Sequence, residues 1–196
     1  MSVEVKTITG SEVRKYLDDV ARLRIQIFSD FPYLYDGNVE HEQEYLGRYL
    51  KASDFAVVLA MDGKKVIGAS TCLPLSEEID EIKNPVLQAG YDADDILYFG
   101  ESVLDKAFRG QGIGKLFFQK REAHAHQLKK KFASFCAVER PEDHPLRPEN
   151  YQPLHAFWKK EGYQKLPEVR TTLSWKDVDQ QNETDKELTF WMKKLL

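Results

Sequence analysis

Arg109-Gly110-Gln111-Gly112-Ile113-Gly114-Lys115 joins a strand-like run to an amphipathic helix. Ahead of it, Ile96 to Leu104 (ILYFGESVL) reads as a strand, and behind it Ile113 to about Leu128 places Leu116, Phe117, Ala123 and Leu128 at helical spacing. Glycines in such a turn permit positive φ and let a ligand approach the backbone closely. Consecutive amides at a helix start form an anion nest, and the helix dipole adds favourable partial charge. A phosphate or pyrophosphate is the natural guest. The P-loop pattern G-x-x-x-x-G-K-[ST] fails twice, because Arg109 stands five residues before Gly114 and Leu116 follows Lys115. The dinucleotide pattern G-x-G-x-x-G fails because Lys115 stands where the third glycine belongs. The pattern R/Q-x-x-G-x-G/A is met by Arg109, Gly112 and Gly114.

Outward from this turn the elements follow in a readable order. Val3, Val5 and Ile8 form an extended piece before Gly10. Ser11 offers a cap to a helix whose apolar positions run from Val13 to Ile27, and a second helix spans about Val39 to Lys51. Tyr45, Leu46, Tyr49 and Leu50 are its apolar stripe. Asp54–Met61 and Lys65–Leu73 flank the turn signal Asp62-Gly63 as a hairpin. Residues 76–95, rich in carboxylates, read as a solvated excursion, of a length that is more often functional than idle. After the glycine turn come a strand at Phe132–Val138, a proline-dense loop at 139–153, a short helix at Leu154–Lys160 capped by Gly162, and strands at Arg170–Trp175 and Glu187–Met192. The pattern predicts one α/β domain over residues 1–196, an α+β mixed sheet of about seven strands with helices on both faces.

Composition narrows the function. The chain has 196 residues, 42% of them hydrophobic and 31% charged, with a formal net charge of −4. A mildly acidic chain lacks the basic face that nucleic-acid backbones require. No apolar run reaches membrane-span length, and no signal peptide is visible, which points to the cytoplasm and away from a membrane. Cys72 and Cys136 lie far apart and outside any C-x-x-C pair, so neither a disulfide scaffold nor a metal site is expected.

With the turn, the element order and a later stretch, Ala156-Phe157-Trp158-Lys159-Lys160-Glu161-Gly162-Tyr163, the chain resembles the GNAT superfamily of acyl-CoA-dependent N-acyltransferases. Leu104 stands five residues before Arg109, where that family has an aliphatic residue. The resemblance implies a bulge that splays the fourth strand from the fifth, with the pantetheine arm of acetyl-CoA lying in the gap. It assigns the backbone of Ser102, Val103 and Leu104 to that arm, with an amide near Ser102 facing the thioester oxygen. It assigns the amides around Arg109, Gly110, Gln111, Gly112, Ile113, Gly114 and Lys115 to the pyrophosphate. The activity it implies is transfer of an acetyl group to a primary amine by direct attack on the thioester, with no metal.

An alkyl amine is mostly protonated at neutral pH, so a base must take a proton. Glu101 is the first candidate, provided a bulge brings it to the face of Tyr98, since strand side chains alternate. Tyr98 faces the substrate in an unbulged strand and is otherwise a core aromatic. Trp158 occupies the position where relatives carry an acidic tyrosine, and an indole cannot replace it. Tyr151 is the substitute candidate, as acid or cofactor contact. His144, His155, Arg140 and Arg147 are loop groups that solvation explains as well as substrate binding does. His124 and His126 look merely exposed, and Trp175 and Trp191 read as core rather than substrate platform. The acidic excursion suits a cationic small-molecule acceptor; a peptide or protein amine is the alternative. Two other readings are a non-catalytic acyl-CoA sensor and a nucleotide-binding switch. A homodimer through an exposed final strand is a further expectation.

Overall fold

In the computed structural model, residues 3–196 are described. The strands are β1 (Glu4–Thr9), β2 (Ala56–Asp62), β3 (Lys65–Pro74), β4 (Ile96–Leu104), β5 (Phe132–Val138), β6 (Gln164–Lys176) and β7 (Glu183–Lys194). The helices are α1 (Leu17–Phe28), α2 (Val39–Tyr49), α3 (Asp80–Gln88), α4 (Ile113–Gln127) and α5 (His155–Lys160). The strands form one sheet in the order β1-β2-β3-β4-β5-β7-β6, and β4 runs parallel to β5 while all other neighbours are antiparallel.

The near-continuous apolar runs of β2 and β3 follow from burial on both faces of the sheet. On one face Val20, Leu23, Leu46 and Tyr49 of α1 and α2 pack on Leu59, Leu73, Ile96 and Tyr98. On the other face, Phe118 and Ala125 of α4 and Tyr163 pack on Leu97, Phe99, Phe135 and Trp191. The central strands are thus shielded from water, and side chains that alternate along them report to two different cores.

Three expectations change. Residues 76–95 are not a solvated loop: α3 buries Ile82 and Val86, because these two fall one helical turn apart on the face that meets the core. The first helix does not start at a Ser11 cap. A 3₁₀ turn over Gly10–Tyr16 precedes α1, and Gly10 enters it at φ +63°. The final strand is not an exposed edge, since β7 lies between β5 and β6; the last two strands are also longer than their apolar cores suggested. Lengthening comes from polar residues such as Glu183 and Asp185, the latter joined to Ser174 across the ladder by a side-chain hydrogen bond.

Pro85 sits inside α3 and has no N–H to give to the carbonyl four residues back, which belongs to Glu81. That carbonyl accepts instead from the Thr171 hydroxyl of β6. Thr171 is buried, so Thr171→Val removes the donor and leaves the carbonyl poorly satisfied. The expected loss is about 1–3 kcal/mol, read as a lower urea midpoint at unchanged m-value; an unchanged midpoint contradicts this account of how α3 tolerates its proline.

Candidate active site

The site begins at an irregularity in β4. Opposite β3, Ser102 pairs with Ser70 and Phe99 pairs with Cys72, so Gly100 and Glu101 together face the single residue Thr71. This is a β-bulge. It is held from two sides. The Glu101 amide donates to Thr71 Oγ1 at 3.2 Å, and the Thr71 carbonyl accepts from the buried Arg121 of α4 at 3.4 Å. Arg121 lies 4.2 Å over the Phe99 ring, and burial pulls its pKa down to about 10.

The bulge has two consequences. First, it reverses the side-chain alternation: Ile96 and Tyr98 face the α1–α2 core, and past the bulge Glu101 and Val103 do so as well. Second, the sheet parts. The β4–β5 ladder holds only the pairs Ile96–Phe132, Leu97–Ala133 and Tyr98–Ser134, and no pairing continues beyond them. Asp105 donates to the Ile67 carbonyl on the β3 side at 2.9 Å. Backbone groups alternate sides along a strand. The amides and carbonyls of Ser102 and Leu104 therefore turn toward the gap, whereas those of Val103 belong to the β3 ladder. Val103 is thus separated from Ser102 and Leu104, with which its position had grouped it: its backbone serves the sheet and its side chain the core.

The glycine turn closes the end of this gap. Gly112 caps α4 at φ +81° and Gly110 lies at φ +77°, and a Cβ at either would meet nothing within 4 Å. The first amide of α4 with a helical partner is that of Leu116, which donates to the Gly112 carbonyl at 3.2 Å. The amides of Ile113, Gly114 and Lys115 are the first-turn donors that a helix leaves unpaired. Arg109, Gly110, Gln111, Gly112 and Lys115 are exposed, while the Ile113 side chain anchors the turn in the core. Arg109 bridges back to the Leu104 carbonyl at 3.4 Å.

On the α1–α2 side of the gap lies a cavity of about 250 Å³. Its walls include Tyr98 and Glu101 of β4, Cys136 of β5, Phe28, Tyr33, Tyr45 and Tyr49 from the helical layer, Trp175 of β6, and Glu78. Arg24 of α1 crosses it. Its Nη1 donates to Glu101 at 2.7 Å, its Nε donates to the fully buried Glu42, and its guanidinium stacks 4.3 Å from the Tyr45 ring. Burial alone would lower the Arg24 pKa, but Glu101, Tyr45 and Glu42 outweigh it and hold the group more firmly charged than usual. Oε2 of Glu101 is engaged by Arg24; Oε1 is buried and has no protein partner.

Tyr98 lines the cavity as its strand position requires, and its hydroxyl lies 3.1 Å from Cys136 Sγ. Burial raises the pKa of both, that of Cys136 to about 12, which keeps the sulfur a neutral thiol. Tyr151 does not reach the cavity. It sits on Phe31 at 4.7 Å under the Arg147 guanidinium. Arg140 is no solvated loop group: it forks onto Asp177 at 2.8 and 2.9 Å and caps the carbonyls of Pro32 and Tyr33. Trp158 and His155 stack around the core residue Trp191. His124 is not merely exposed, since its Nε2 lies 3.0 Å from the Asp54 carbonyl.

Several cavity residues carry no local sequence signal. Tyr45 and Tyr49 read as an apolar stripe, yet their hydroxyls bond each other and Tyr49 donates to Glu78 at 2.9 Å. Glu78 reads as one carboxylate among many. Arg24 carried no signal, and Trp175, expected in the core, forms part of the wall while donating to the Tyr33 carbonyl at 2.9 Å.

A seven-stranded mixed sheet, parted between a bulged β4 and a parallel β5 over a glycine-capped helix, is the fold of the GNAT acetyltransferases. Solved structures match it along the full chain. The ribosomal-protein-alanine N-acetyltransferase of Brucella melitensis superposes with TM-score 0.61 at 14% identity, covering 98% of this chain and 99% of that one. A GNAT-family acetyltransferase of Staphylococcus aureus Mu50 gives 0.63 at 10% identity, with 100% of both chains covered. The yncA protein of Salmonella typhimurium, solved with its cofactor acetyl-CoA, gives 0.60 at 10% identity, covering 100% of this chain and 95% of that one. No family model and no curated protein matches the sequence. Among the described residues no helix is long and apolar enough to cross a membrane, and no group of three or more His, Cys, Asp or Glu could hold a metal ion.

A Cβ at Gly100 would lie 2.5 Å from Thr71 Oγ1. Gly100→Ala should therefore turn the Thr71 hydroxyl away and orphan the Glu101 amide. The expected cost is about 1–3 kcal/mol of stability, together with displacement of Glu101 from Arg24. Denaturant unfolding checks the first, and an unchanged midpoint contradicts this picture of the bulge.

Proposed function

We propose that the chain is an N-acetyltransferase, a single domain over residues 1–196 that moves an acetyl group from acetyl-CoA to the primary amine of a small molecule. One observation carries this reading: the β4–β5 ladder stops at Tyr98–Ser134, which leaves a gap beside β4 between the glycine turn and a partly open cavity. Unpaired backbone donors and acceptors are costly unless something satisfies them. A tether with amide groups meets that need at Ser102 and at the Leu104 amide, the Leu104 carbonyl already accepting from Arg109. A diphosphate suits the amides of Gln111 to Lys115 and the space beside Gly110 and Gly112. Acetyl-CoA supplies an acetyl thioester, already activated toward amines.

The chain's own groups would then position the acceptor. A cavity of about 250 Å³ fits a small amine rather than a protein surface. Its tyrosine and tryptophan rings, with the carboxylates of Glu78 and Glu101, favour a cation. Arg24 fixes Glu101, whose free Oε1 is placed to accept a hydrogen bond from an acceptor ammonium. Glu101 so held orients the acceptor. The amide near Ser102 would face the thioester oxygen and steady the charge that grows on it. Departure of the sulfur needs no protein acid, because a thiol leaves readily as its anion, and Tyr151 stands outside the cavity. Two free thiols in a chain without a disulfide accord with the cytoplasm.

Purified protein offered acetyl-CoA and a panel of small amines should release free CoA thiol with at least one aliphatic amine. CoA binding without release across the panel would favour the sensor, and no CoA affinity at millimolar concentration would defeat both. Gly112→Trp should weaken CoA binding by at least about tenfold, since an indole fills the cradle and costs one or more charge-assisted hydrogen bonds. Calorimetric titration checks this, and wild-type affinity in that variant would misplace the site.

A further inference from the structure

Two carboxylates face the cavity, and their surroundings differ. Glu101 is ion-paired with Arg24 at 2.7 Å. Glu78 forms no ion pair among the described residues, although only 7% of it is exposed. Its Oε1 accepts from Tyr49 at 2.9 Å and its Oε2 from the Ile79 amide at 3.0 Å. Tyr49 is hydrogen-bonded in turn to Tyr45, which lines the same cavity under Arg24. An arginine-bound carboxylate is stabilised as the anion and is a reluctant proton acceptor, whereas a buried one without a cation takes a proton readily.

We propose that Glu78, rather than Glu101, accepts the proton that the acceptor ammonium must lose, with Tyr49 and Tyr45 as the hydroxyl bridge to it. This rests on the acetyltransferase reading. The ammonium gives one proton to Glu78, which later returns it to solvent. The freed nitrogen lone pair forms the bond to the acetyl carbon while the carbon–sulfur bond breaks and its electron pair stays on sulfur. A second proton leaves the nitrogen and ends on that sulfur, so the products are the amide, CoA thiol and one proton.

Besides burial, the groups that act on Glu78 are the Ile79 amide, Tyr49 and Arg48 of α2, and Glu101 of β4, while Tyr45, Tyr98 and Cys136 feel its charge in turn. Burial raises its pKa, and the bonds from Ile79 and Tyr49 and the charge of Arg48 only partly offset this. The raised value brings the group toward the working range of a general base.

Glu78→Gln and Glu101→Gln, compared from about pH 6 to about pH 9, decide between the two carboxylates. Glu78→Gln should lower kcat about 100-fold near neutral pH, leave CoA affinity and the acceptor KM within about threefold, and recover as pH approaches the amine's own pKa near 10. Glu101→Gln should raise the acceptor KM and keep the acidic limb of the wild-type profile. A kcat for Glu78→Gln within about threefold of wild type, or an acidic limb that keeps the wild-type midpoint instead of moving toward the amine's own pKa, overturns the proposal.

A readout without catalysis stands beside these. A carboxyl whose pKa is raised on folding binds protons more tightly in the folded state, so its contribution to stability is full below the unfolded value near 4.3 and is lost as pH rises through the folded value. The Tm of wild type relative to Glu78→Gln should therefore fall over that rise; a constant difference overturns the proposal. A wild type that acetylates no amine overturns the acetyltransferase reading and takes this proposal with it, whereas turnover retained in Glu78→Gln overturns the proposal alone.

Discussion

Two residues of β4 facing one residue of β3 set the rest of the site. Where Gly100 and Glu101 oppose Thr71, the strand gains a residue, twists, and departs from its parallel neighbour. The bulge costs a regular ladder bond. The Thr71 hydroxyl, the Arg121 guanidinium and the absence of a side chain at Gly100 compensate for it. These contacts come from both faces of the sheet, so the distortion is fixed by the cores on either side rather than by the strand's own preference.

From that distortion come both halves of the proposed chemistry. Parting of β4 and β5 leaves the β5 side of β4 unpaired beyond Tyr98, ahead of the glycine turn at Gly110 and Gly112. Reversal of the alternation sends Glu101 into the α1–α2 layer, where it would otherwise have faced α4. There Arg24 ties it to Glu42 and to the Tyr45 ring, and a charged network is buried that either acid alone would make costly. The cavity thus has a held carboxylate beside the gap and an unpaired one, Glu78, bonded to the tyrosine pair on its wall.

The parts legible in the sequence are those coded locally. The glycine turn, the Asp62-Gly63 hairpin and the alternation of apolar runs depend on backbone conformation and burial at neighbouring positions, and each lies where its residues placed it. What could not be read was long-range pairing. Arg24 and Glu101 are 77 positions apart, and Thr171 serves a carbonyl 90 positions away. Glu78 reads as one more surface acid because nothing local distinguishes it from Glu77; only its burial and the hydroxyl that Tyr49 of α2 brings to it do so. The parity of Glu101 depended on a bulge whose partner, Thr71, lies in another strand. The position of β7 inside the sheet likewise depends on β6 folding back outside it, which local pattern does not encode.

Amide hydrogen exchange, resolved by residue with and without CoA, tests the central claim most directly. The amides of Ser102 and Leu104 should gain protection when CoA is added, as should those of Ile113, Gly114 and Lys115. The Val103 amide, already held by β3, should change little. Saturating CoA that leaves Ser102 and Leu104 exchanging as before would contradict the claim that the parted strands receive its arm.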